Sequence, residues 1–538
     1  MPLHETPTLP QGEPVPRWLE LADALKPTLH EVEQEPLRLV RAVPDVDSPL
    51  RFRMEPAGDV ASLASADLRA GDAFILDFGG HRAGHLSFVL GASGREPDAP
   101  ARLRLTFGEV PTDVAESFEP YTGWLSRAWL PDELVNIDDL PQAVRLPRRY
   151  AFRYVKVEVV ATSKEYGVRF ERIRAHAVTS AGALVAPPPG GMPKWAQRVD
   201  DVALATLRDC LQTTFEDGPR RDRRLWIGDL RLQALVNYGT FDANDVVKRC
   251  LYLFAGLPRQ DGLVNACVYE KPKPTYANIV TLDYAALYAV TLAEYVQATG
   301  DIETGRELLP VAVKQLEILG RLVNDEGLFV DPKDAWLFID WAEELDRNTP
   351  LQGVLILAYR RTLALARRLQ RPGLAAGFSE RIDAMVSAAR KHCFDKDAGL
   401  FVSGPNRQVS VASQAWMVLA GVPETPEIGA RAIRNCLATA DAVRPVTPYL
   451  YHYLVEAMFT CGMRREAVDL IRSYWGGMVD AGADTFWEVY DPQRPLSSPY
   501  GDIHVNSYCH AWSCTPSYFF RTYRPFDPES ADSDREVV

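Results

Sequence analysis

Near residue 190 the spacing between apolar residues changes from every second residue to every third or fourth residue. From about residue 70 to 176 apolar and polar residues alternate, as with Leu103, Leu105 and Phe107 in ARLRLTFGEV and the valines of YVKVEVV. Alternation with period two predicts half-buried strands. The run FILDFGGHRAGHLSFVL adds two strand-like segments around a glycine-containing turn. This part of the chain therefore predicts an antiparallel β-sandwich or jelly roll.

After residue 193 the apolar positions step by three and four. Leu282, Ala286 and Ala289 begin one such run, and another extends from Leu351 to Leu369. This period predicts amphipathic helices, and glycines at the ends of the runs suggest antiparallel hairpins. A closed toroid of paired helices is the most economical arrangement for so many hairpins. The pattern alone also fits a superhelical solenoid.

The stretch GALVAPPPGGMP, residues 182–193, contains four prolines and three glycines and separates the two patterns. Such a composition rules out regular secondary structure and marks a boundary. The predicted organisation is an N-terminal extension with a β-sandwich over residues 1–185, a helical domain over 194–526, and an acidic tail over 527–538.

Composition narrows the class of protein. The 538 residues are 47% hydrophobic and 24% charged, and no apolar run approaches the length of a membrane span. The net charge of −13 disfavours nucleic acid or an anionic membrane as a partner. Neither the spacing of the eight cysteines nor any other motif indicates a disulfide framework, a metal site or a cofactor. With no basic and apolar leader at the start, we expect a cytoplasmic protein, or a periplasmic one if a signal was removed. The oligomeric state stays open.

One candidate for chemistry is DGPRRDRRLWIGD, residues 217–229, with Asp217, Asp222, Asp229 and several arginines around Trp226. Asp222 lies four residues before Trp226, so in a helical or turn-like segment the carboxyl and the indole share one face. An indole desolvates a neighbouring carboxyl and raises its pKa, which suits a proton donor. The alternative is a salt-bridged surface loop.

A second acidic and aromatic cluster lies far along the chain. GADTFWEVYDP, residues 482–492, places Glu488 beside Trp487. Two further segments combine aromatic and polar groups: DAWLFIDWAEELD, with Trp336, Asp340 and Trp341, and HVNSYCHAWSCTPSYFF, with His504, His510 and Trp512. Aromatic faces stack on sugars and carboxylates bind hydroxyls, so this inventory is typical of a sugar site. These residue types best fit glycoside hydrolysis, in which two carboxylates flank the glycosidic bond.

These motifs resemble a known family. DGPRRDRRLWIGD and GADTFWE are similar to the two acidic signatures of the bacterial α-L-rhamnosidases of glycoside hydrolase family 78. DFGGHRAGHLSFVL, LTFGEV and YAFRYVKVEVV resemble that family's β-sandwich, and HAWSCTPSYFF resembles the end of its catalytic domain. The resemblance implies an (α/α)6 barrel and an inverting hydrolase that releases terminal α-L-rhamnose.

The resemblance also assigns roles to residues. Asp222 matches the general acid, where most members have Glu, and Glu488 matches the general base. The positions matched to sugar binding or to the shape of the subsite are Asp217, Arg221, Trp226, Asp229, Asp340, Trp341 and His510, and Trp487 supplies an aromatic surface. Asp484 stands where Thr is usual and would add a third carboxylate near the base.

The chain also departs from larger members. It ends without the C-terminal β-sandwich that many carry, so the resemblance implies a minimal member acting on a small glycoside or oligosaccharide. Two alternatives stay open. The arginines of the first motif could hold the carboxylate of a rhamnosyl-uronide or another sugar for a hydrolase or lyase. The protein could instead be a carbohydrate-binding relative without catalysis.

Overall fold

The structure is a computed structural model that describes residues 11–277, 279, 281–333 and 335–527. Most of the predicted acidic tail, residues 528–538, lies outside the described residues. No described helix combines the length and the apolar character that crossing a membrane requires.

Antiparallel strands make up the N-terminal domain. They are β1 (His30–Gln34), β2 (Arg38–Pro44), β3 (Phe52–Gly58), β4 (Ala73–Gly94), β5 (Ala101–Gly108), β6 (Asp132–Ile137), β7 (Gln142–Arg145), β8 (Tyr150–Ala161) and β9 (Tyr166–Thr179). The nine strands form one sheet, in which β4 has four partners: its first part pairs with β2 and β8, and its second part pairs mainly with β7 and β9. The register shifts between Asp77 and Arg82, where Gly79 has a φ of 77°. Apolar residues from both parts of β4, such as Leu76 and Phe88, share one core.

No helix or strand forms between Thr179, the last residue of β9, and Lys194. The helices are α1 (Pro16–Ala24), α2 (Pro111–Ala115), α3 (Lys194–Cys210), α4 (Ile227–Tyr238), α5 (Asn244–Gly256), α6 (Leu282–Thr299), α7 (Ile302–Leu319), α8 (Asn348–Arg368), α9 (Phe378–Ala388), α10 (Val411–Leu419), α11 (Pro426–Ala438), α12 (Pro448–Thr460), α13 (Arg464–Asp480) and α14 (Pro516–Thr522). Short strands lie between them: β10 (Leu225–Trp226), β11 (Cys267–Tyr269), β12 (Thr275–Tyr276), β13 (Phe394–Asp395), β14 (Leu400–Ser403) and β15 (Gln408–Val409).

The helices form a ring of inner and outer members. Helices α4, α6, α8, α10 and α12 pack side by side in that order, and α4 and α12 both contact residues 511–513, which closes the ring. Nearly all of α6 is buried because it has neighbours on every side, whereas α11 buries only one face. The ring decides between a toroid and a solenoid. The predicted antiparallel β domain followed by a helical barrel is confirmed.

Helix α1 lies within the range predicted to belong to the first domain, yet it packs on α5 of the barrel. The backbone N–H of Val15 donates to the carbonyl of Gly256 at 2.9 Å, and Trp18 Nε1 donates to Glu307 at 2.8 Å. The sequence around α1 gave no indication of this contact, because it joins residues more than 200 positions apart.

Candidate active site

The segment between α3 and α4 forms a loop that is held together by hydrogen bonds to the side chain of Asp217. Its carboxylate accepts the backbone N–H of Arg224 at 3.0 Å and that of Asp222 at 3.2 Å. The chain then enters β10, and α4 begins at Ile227. A turn followed by a short strand, rather than a helix, therefore connects Asp222 to Trp226.

Asp222 presents a carboxylate with a cation beside it. Its Oδ2 lies 3.3 Å from Nη1 of Arg224, and 15% of its side chain is exposed. The Arg224 guanidinium lies over the ring of Tyr269, 4.3 Å from the centroid. Burial and the neighbouring Asp222 charge raise the pKa of Asp217. The loop thus places two acidic groups close together, of which one favours protonation.

The pKa of Glu488 is shifted in the opposite direction from that of Asp217. Its Oε2 accepts a hydrogen bond from Nη2 of Arg221 at 2.7 Å, and its Oε1 accepts one from the Tyr500 hydroxyl. Burial acts to raise the pKa of Glu488, but the Arg221 charge, the His510 charge and the Tyr500 hydrogen bond together lower it. The Arg221 guanidinium also lies over the Tyr500 ring at 4.1 Å. Glu488 is therefore held as a buried, ionised carboxylate.

His510 is paired with Asp229 from the first turn of α4. Its Nε2 lies 3.0 Å from Oδ1 of Asp229. Burial acts to lower the pKa of His510, yet the Asp229 hydrogen bond and the Glu488 charge raise it. Nδ1 of His510 and Nε1 of Trp341 are both buried without a hydrogen-bond partner among the described residues. Buried polar atoms are rarely left unpaired, so these two are candidates for contact with a ligand.

These groups converge on one cavity. The predicted residues that line it are Asp217, Arg221, Asp222, Trp226, Asp229, Trp341, Glu488 and His510. The other lining residues are Trp124, Leu125, Thr281, Tyr284, Trp336, Phe338, Tyr500 and Trp512. The cavity thus combines carboxylates, one arginine and one histidine with a wall of aromatic rings.

Hydrogen bonds to backbone groups fix this aromatic wall. The carboxylate of Asp283, at the start of α6, accepts the N–H groups of Phe338 and Ile339, each at 3.1 Å. Trp512 donates its indole N–H to the carbonyl of Glu488 at 3.0 Å. The rings of Phe338 and Trp512 stack with centroids 5.8 Å apart and planes 19° apart. The apolar surface is therefore rigidly set around the carboxylates.

Two predicted binding residues do not line the cavity. Both oxygens of Asp340 face the chain entering α12, accepting the N–H of Val446 at 2.7 Å and both the N–H and the hydroxyl of Thr447. The Trp487 side chain is 1% exposed and packs edge-on against Tyr490 and Tyr508. Both are corrections to the predicted placement. Neighbouring residues on an extended segment point to opposite sides, so Trp487 turns into the core while Glu488 faces the cavity.

Asp484 also lies away from the cavity. Its Oδ2 is 3.5 Å from Nη1 of Arg153 in strand β8 of the sheet domain. The carboxylate therefore faces the junction between the two domains rather than the Glu488 carboxylate, and the predicted third acid beside the base is not found there.

Sequence reasoning missed several residues of the site. Tyr500 lies in a proline- and serine-rich loop whose spacing from Glu488 carries no periodic signal. Trp124 belongs to the sheet domain and reaches the cavity through two contacts: its N–H donates to the carbonyl of Tyr500, and its indole N–H to that of Pro499, both at 3.0 Å. Only the folded chain brings these residues to the carboxylates.

A possible metal-ligand group among the described residues consists of His81, Asp209 and Cys509, all buried. Each ring nitrogen of His81 already faces a carboxylate: Nδ1 lies 2.6 Å from Asp209 and Nε2 lies 3.0 Å from Glu109. A separation of 2.6 Å is that of a direct hydrogen bond and leaves no space for an ion between the two atoms. The group lies outside the cavity.

A helical barrel whose cavity joins paired carboxylates to an aromatic wall defines the class of six-hairpin glycosidases. Comparison with known families agrees. Residues 36–177 match the glycosyl hydrolase family 78 α-rhamnosidase N-terminal domain, and residues 194–523 match the bacterial α-L-rhamnosidase six-hairpin glycosidase domain. The chain belongs to the bacterial α-L-rhamnosidases of glycoside hydrolase family 78.

Solved structures show the same similarity. A rhamnosidase from Klebsiella oxytoca with rhamnose bound is 45% identical, with a TM-score of 0.92 over 95% of this chain and 99% of that chain. A family 78 rhamnosidase from Bacillus sp. GL1 is 23% identical, with a TM-score of 0.73 over 88% of this chain and 49% of that chain, and supports the fold alone. A comparison with curated proteins gave no match.

Proposed function

We propose that this protein hydrolyses terminal α-L-rhamnosides with inversion, with Asp222 as general acid and Glu488 as general base. The observation that carries the proposal is that two carboxylates, Asp222 and Glu488, line one cavity together with an aromatic wall. An inverting glycosidase needs one carboxyl group that gives a proton to the leaving group and one carboxylate that removes a proton from water.

Glu488 suits the role of base. The Arg221 cation and the Tyr500 hydroxyl keep it ionised, so it is ready to accept a proton at neutral pH. Its backbone is also fixed, since its N–H donates to the Ser507 carbonyl at 3.0 Å. A base held this firmly can orient one water toward the anomeric carbon.

Asp222 suits the role of acid better than its neighbour Asp217. Both oxygens of Asp217 accept backbone N–H groups that close the loop. A carboxyl engaged in this way organises the loop, whereas Asp222 lines the cavity and has Arg224 as its one ion-pair partner among the described residues. We propose that Asp217, Asp229 and His510 bind sugar hydroxyls and that Trp226 and Trp341 form the apolar side of the subsite.

The choice of rhamnose rests on the Klebsiella oxytoca rhamnosidase, which is 45% identical and carries bound rhamnose. The lining residues give little support to a uronide substrate. Of the four arginines in the first motif, only Arg221 lines the cavity, and its charge is already paired with Glu488. Arg220 is paired with Asp113, and Arg224 with Asp222.

The direct test uses an aryl α-L-rhamnoside and follows the product by proton NMR. β-Rhamnose should appear first and then mutarotate. Initial release of α-rhamnose would refute inversion, and rhamnose binding without turnover would point to a non-catalytic protein.

The acid assignment is tested with two matched variants, Asp222→Asn and Asp217→Asn. The first should slow rhamnosides with poor leaving groups far more than activated aryl rhamnosides, because only the former need protonation. The second should slow both classes by a similar factor. If Asp217→Asn, and not Asp222→Asn, slows the substrates with poor leaving groups more than the activated ones, Asp217 is the general acid. Glu488→Gln should abolish turnover of both classes.

We also propose a cytoplasmic location. All eight cysteines are free, and seven of them are buried, which fits a reducing compartment. Activity in the periplasmic fraction of the native host would contradict this proposal.

A further inference from the structure

A group of buried charges joins the sheet domain to the two acidic motifs. Arg220 donates from Nη1 to Asp113 Oδ2 at 2.7 Å and from Nη2 to Asp113 Oδ1 at 3.1 Å. Its Nη1 also lies 3.4 Å from Glu109 Oε2. Asp113 and Glu109 follow strand β5 of the sheet domain, whereas Arg220 belongs to the segment between α3 and α4 of the barrel. We call Glu109, Asp113 and Arg220 the interdomain clamp; none of the three is more than 2% exposed.

The interdomain clamp also holds the chain that follows the second motif. Glu109 Oε2 accepts the backbone N–H of Tyr508 at 2.9 Å, and Arg220 Nη2 donates to the carbonyl of His504. The segment between these points supplies the Ser507 carbonyl, which accepts the N–H of Glu488 at 3.0 Å. Both the backbone of Glu488 and the loop before Asp222 are thus anchored on carboxylates of the other domain.

Arg220 is directly followed by Arg221, whose guanidinium binds the Glu488 carboxylate at 2.7 Å and the carbonyl of Val505. We propose that Asp113 and Glu109 are positioning residues for the base. Through Arg220 they fix the position of Arg221, and so that of the Glu488 carboxylate that Arg221 binds. Neither residue lines the cavity, so neither touches the sugar. This inference rests on the proposed function for its kinetic consequence, whereas its structural consequence stands apart from it.

The proposal has a signature in the pH profile. The charged and titratable groups that face Glu488 are Arg221, Tyr500, His510 and Asp229. Arg221 is the strongest of those that hold the pKa of Glu488 down, against the effect of burial. If Arg221 moves away, the pKa of Glu488 rises and the acidic limb of kcat/KM moves to higher pH. A purely structural residue would change stability and leave this limb in place.

The test compares Asp113→Asn with Asp200→Asn. Asp200 is itself buried and forms a two-point pair with the partly buried Arg521, at 2.5 and 3.0 Å, between α3 and α14 and outside the cavity wall. Both variants should lower the melting temperature. Only Asp113→Asn should reduce kcat/KM on an aryl α-L-rhamnoside, by roughly tenfold to a hundredfold, because small displacements of a reacting group cost this much. Its acidic limb should rise by about half a pH unit or more.

Hydrogen–deuterium exchange followed by mass spectrometry gives a readout that needs no activity. Peptides covering residues 217–224 and 504–510 should exchange faster in Asp113→Asn and at the wild-type rate in Asp200→Asn. If Asp113→Asn does not fold, Asp113→Asn combined with Arg220→Gln also removes the buried guanidinium that has lost its two-point partner, and serves in its place.

An unmoved acidic limb, or unchanged exchange in these two peptides, would overturn the inference. A wild-type protein without turnover would instead overturn the proposed function. The exchange comparison would still decide whether the interdomain clamp positions the two motifs.

Discussion

The Tyr500 hydroxyl offers a precise way to perturb the base. It donates a hydrogen bond to Oε1 of Glu488, and its ring lies under the Arg221 guanidinium and 6.0 Å from the ring of Trp341. Tyr500→Phe keeps the ring in both contacts and removes only the hydroxyl. The variant therefore isolates one hydrogen bond to the ionised carboxylate.

The expected magnitude follows from the charge of the acceptor. A hydrogen bond to an ionised group contributes about 1.5–3 kcal/mol. This bond stabilises the ionised form of Glu488 over the protonated form, and one pKa unit corresponds to about 1.4 kcal/mol. The pKa of Glu488 should therefore rise by roughly one to two units. Since a base must be ionised, activity should be lost at a higher pH than in the wild type as the pH falls.

The assay is the pH dependence of kcat/KM on an aryl α-L-rhamnoside, which reports groups of the free enzyme. Tyr474→Phe is the matched control, because it removes a buried hydroxyl that donates to the Tyr490 carbonyl at 3.0 Å, away from the cavity wall. It should leave the acidic limb in place. An unmoved limb in Tyr500→Phe would show either that Glu488 does not set this limb or that the hydroxyl does not stabilise its charge.

Three more variants test other parts of the site. Trp341→Phe removes an indole N–H that has no hydrogen-bond partner among the described residues, and should weaken rhamnose binding in calorimetry by about threefold to tenfold. An unchanged Kd would exclude that contact. Asp229→Asn removes the partner that raises the pKa of His510, so the imidazole should titrate at lower pH by NMR. Asp340→Ala leaves the donors at Thr447 unpaired and should cost about 3 kcal/mol in denaturant unfolding; a variant with wild-type stability would contradict this role.

The spacing of apolar residues is enough to predict a β domain and a helical domain, but it does not predict that the helices close into a ring. Alternation in β5 and β8 and the steps of three and four in α6 are local signals, and each is found in the structure. Ring closure depends on residues 511–513 meeting α4, far earlier in the chain. Such a contact leaves no trace in local spacing, so the toroid came from the resemblance to the family and not from the pattern.

In the site as well, the sequence predicts which residue types are present but not which way each side chain points. Trp487 and Glu488 were singled out together because they are adjacent, yet they face opposite ways. Asp340 has the chemistry of a sugar ligand, but both of its oxygens accept hydrogen bonds from the residues just before α12. Composition shows which groups are available, and only the fold shows which of them are already occupied.

The glycine- and proline-rich stretch predicts a boundary between two units, but the chemistry crosses it. Trp124 of the sheet domain lines the cavity, and Asp113 pairs with Arg220 one residue before the arginine that holds Glu488. A barrel expressed alone would leave Arg220 without its carboxylate partners and would expose the edge of the cavity at Tyr500. The sheet domain thus belongs to the active site in a structural sense, because the position of the base depends on contacts that the barrel cannot make by itself.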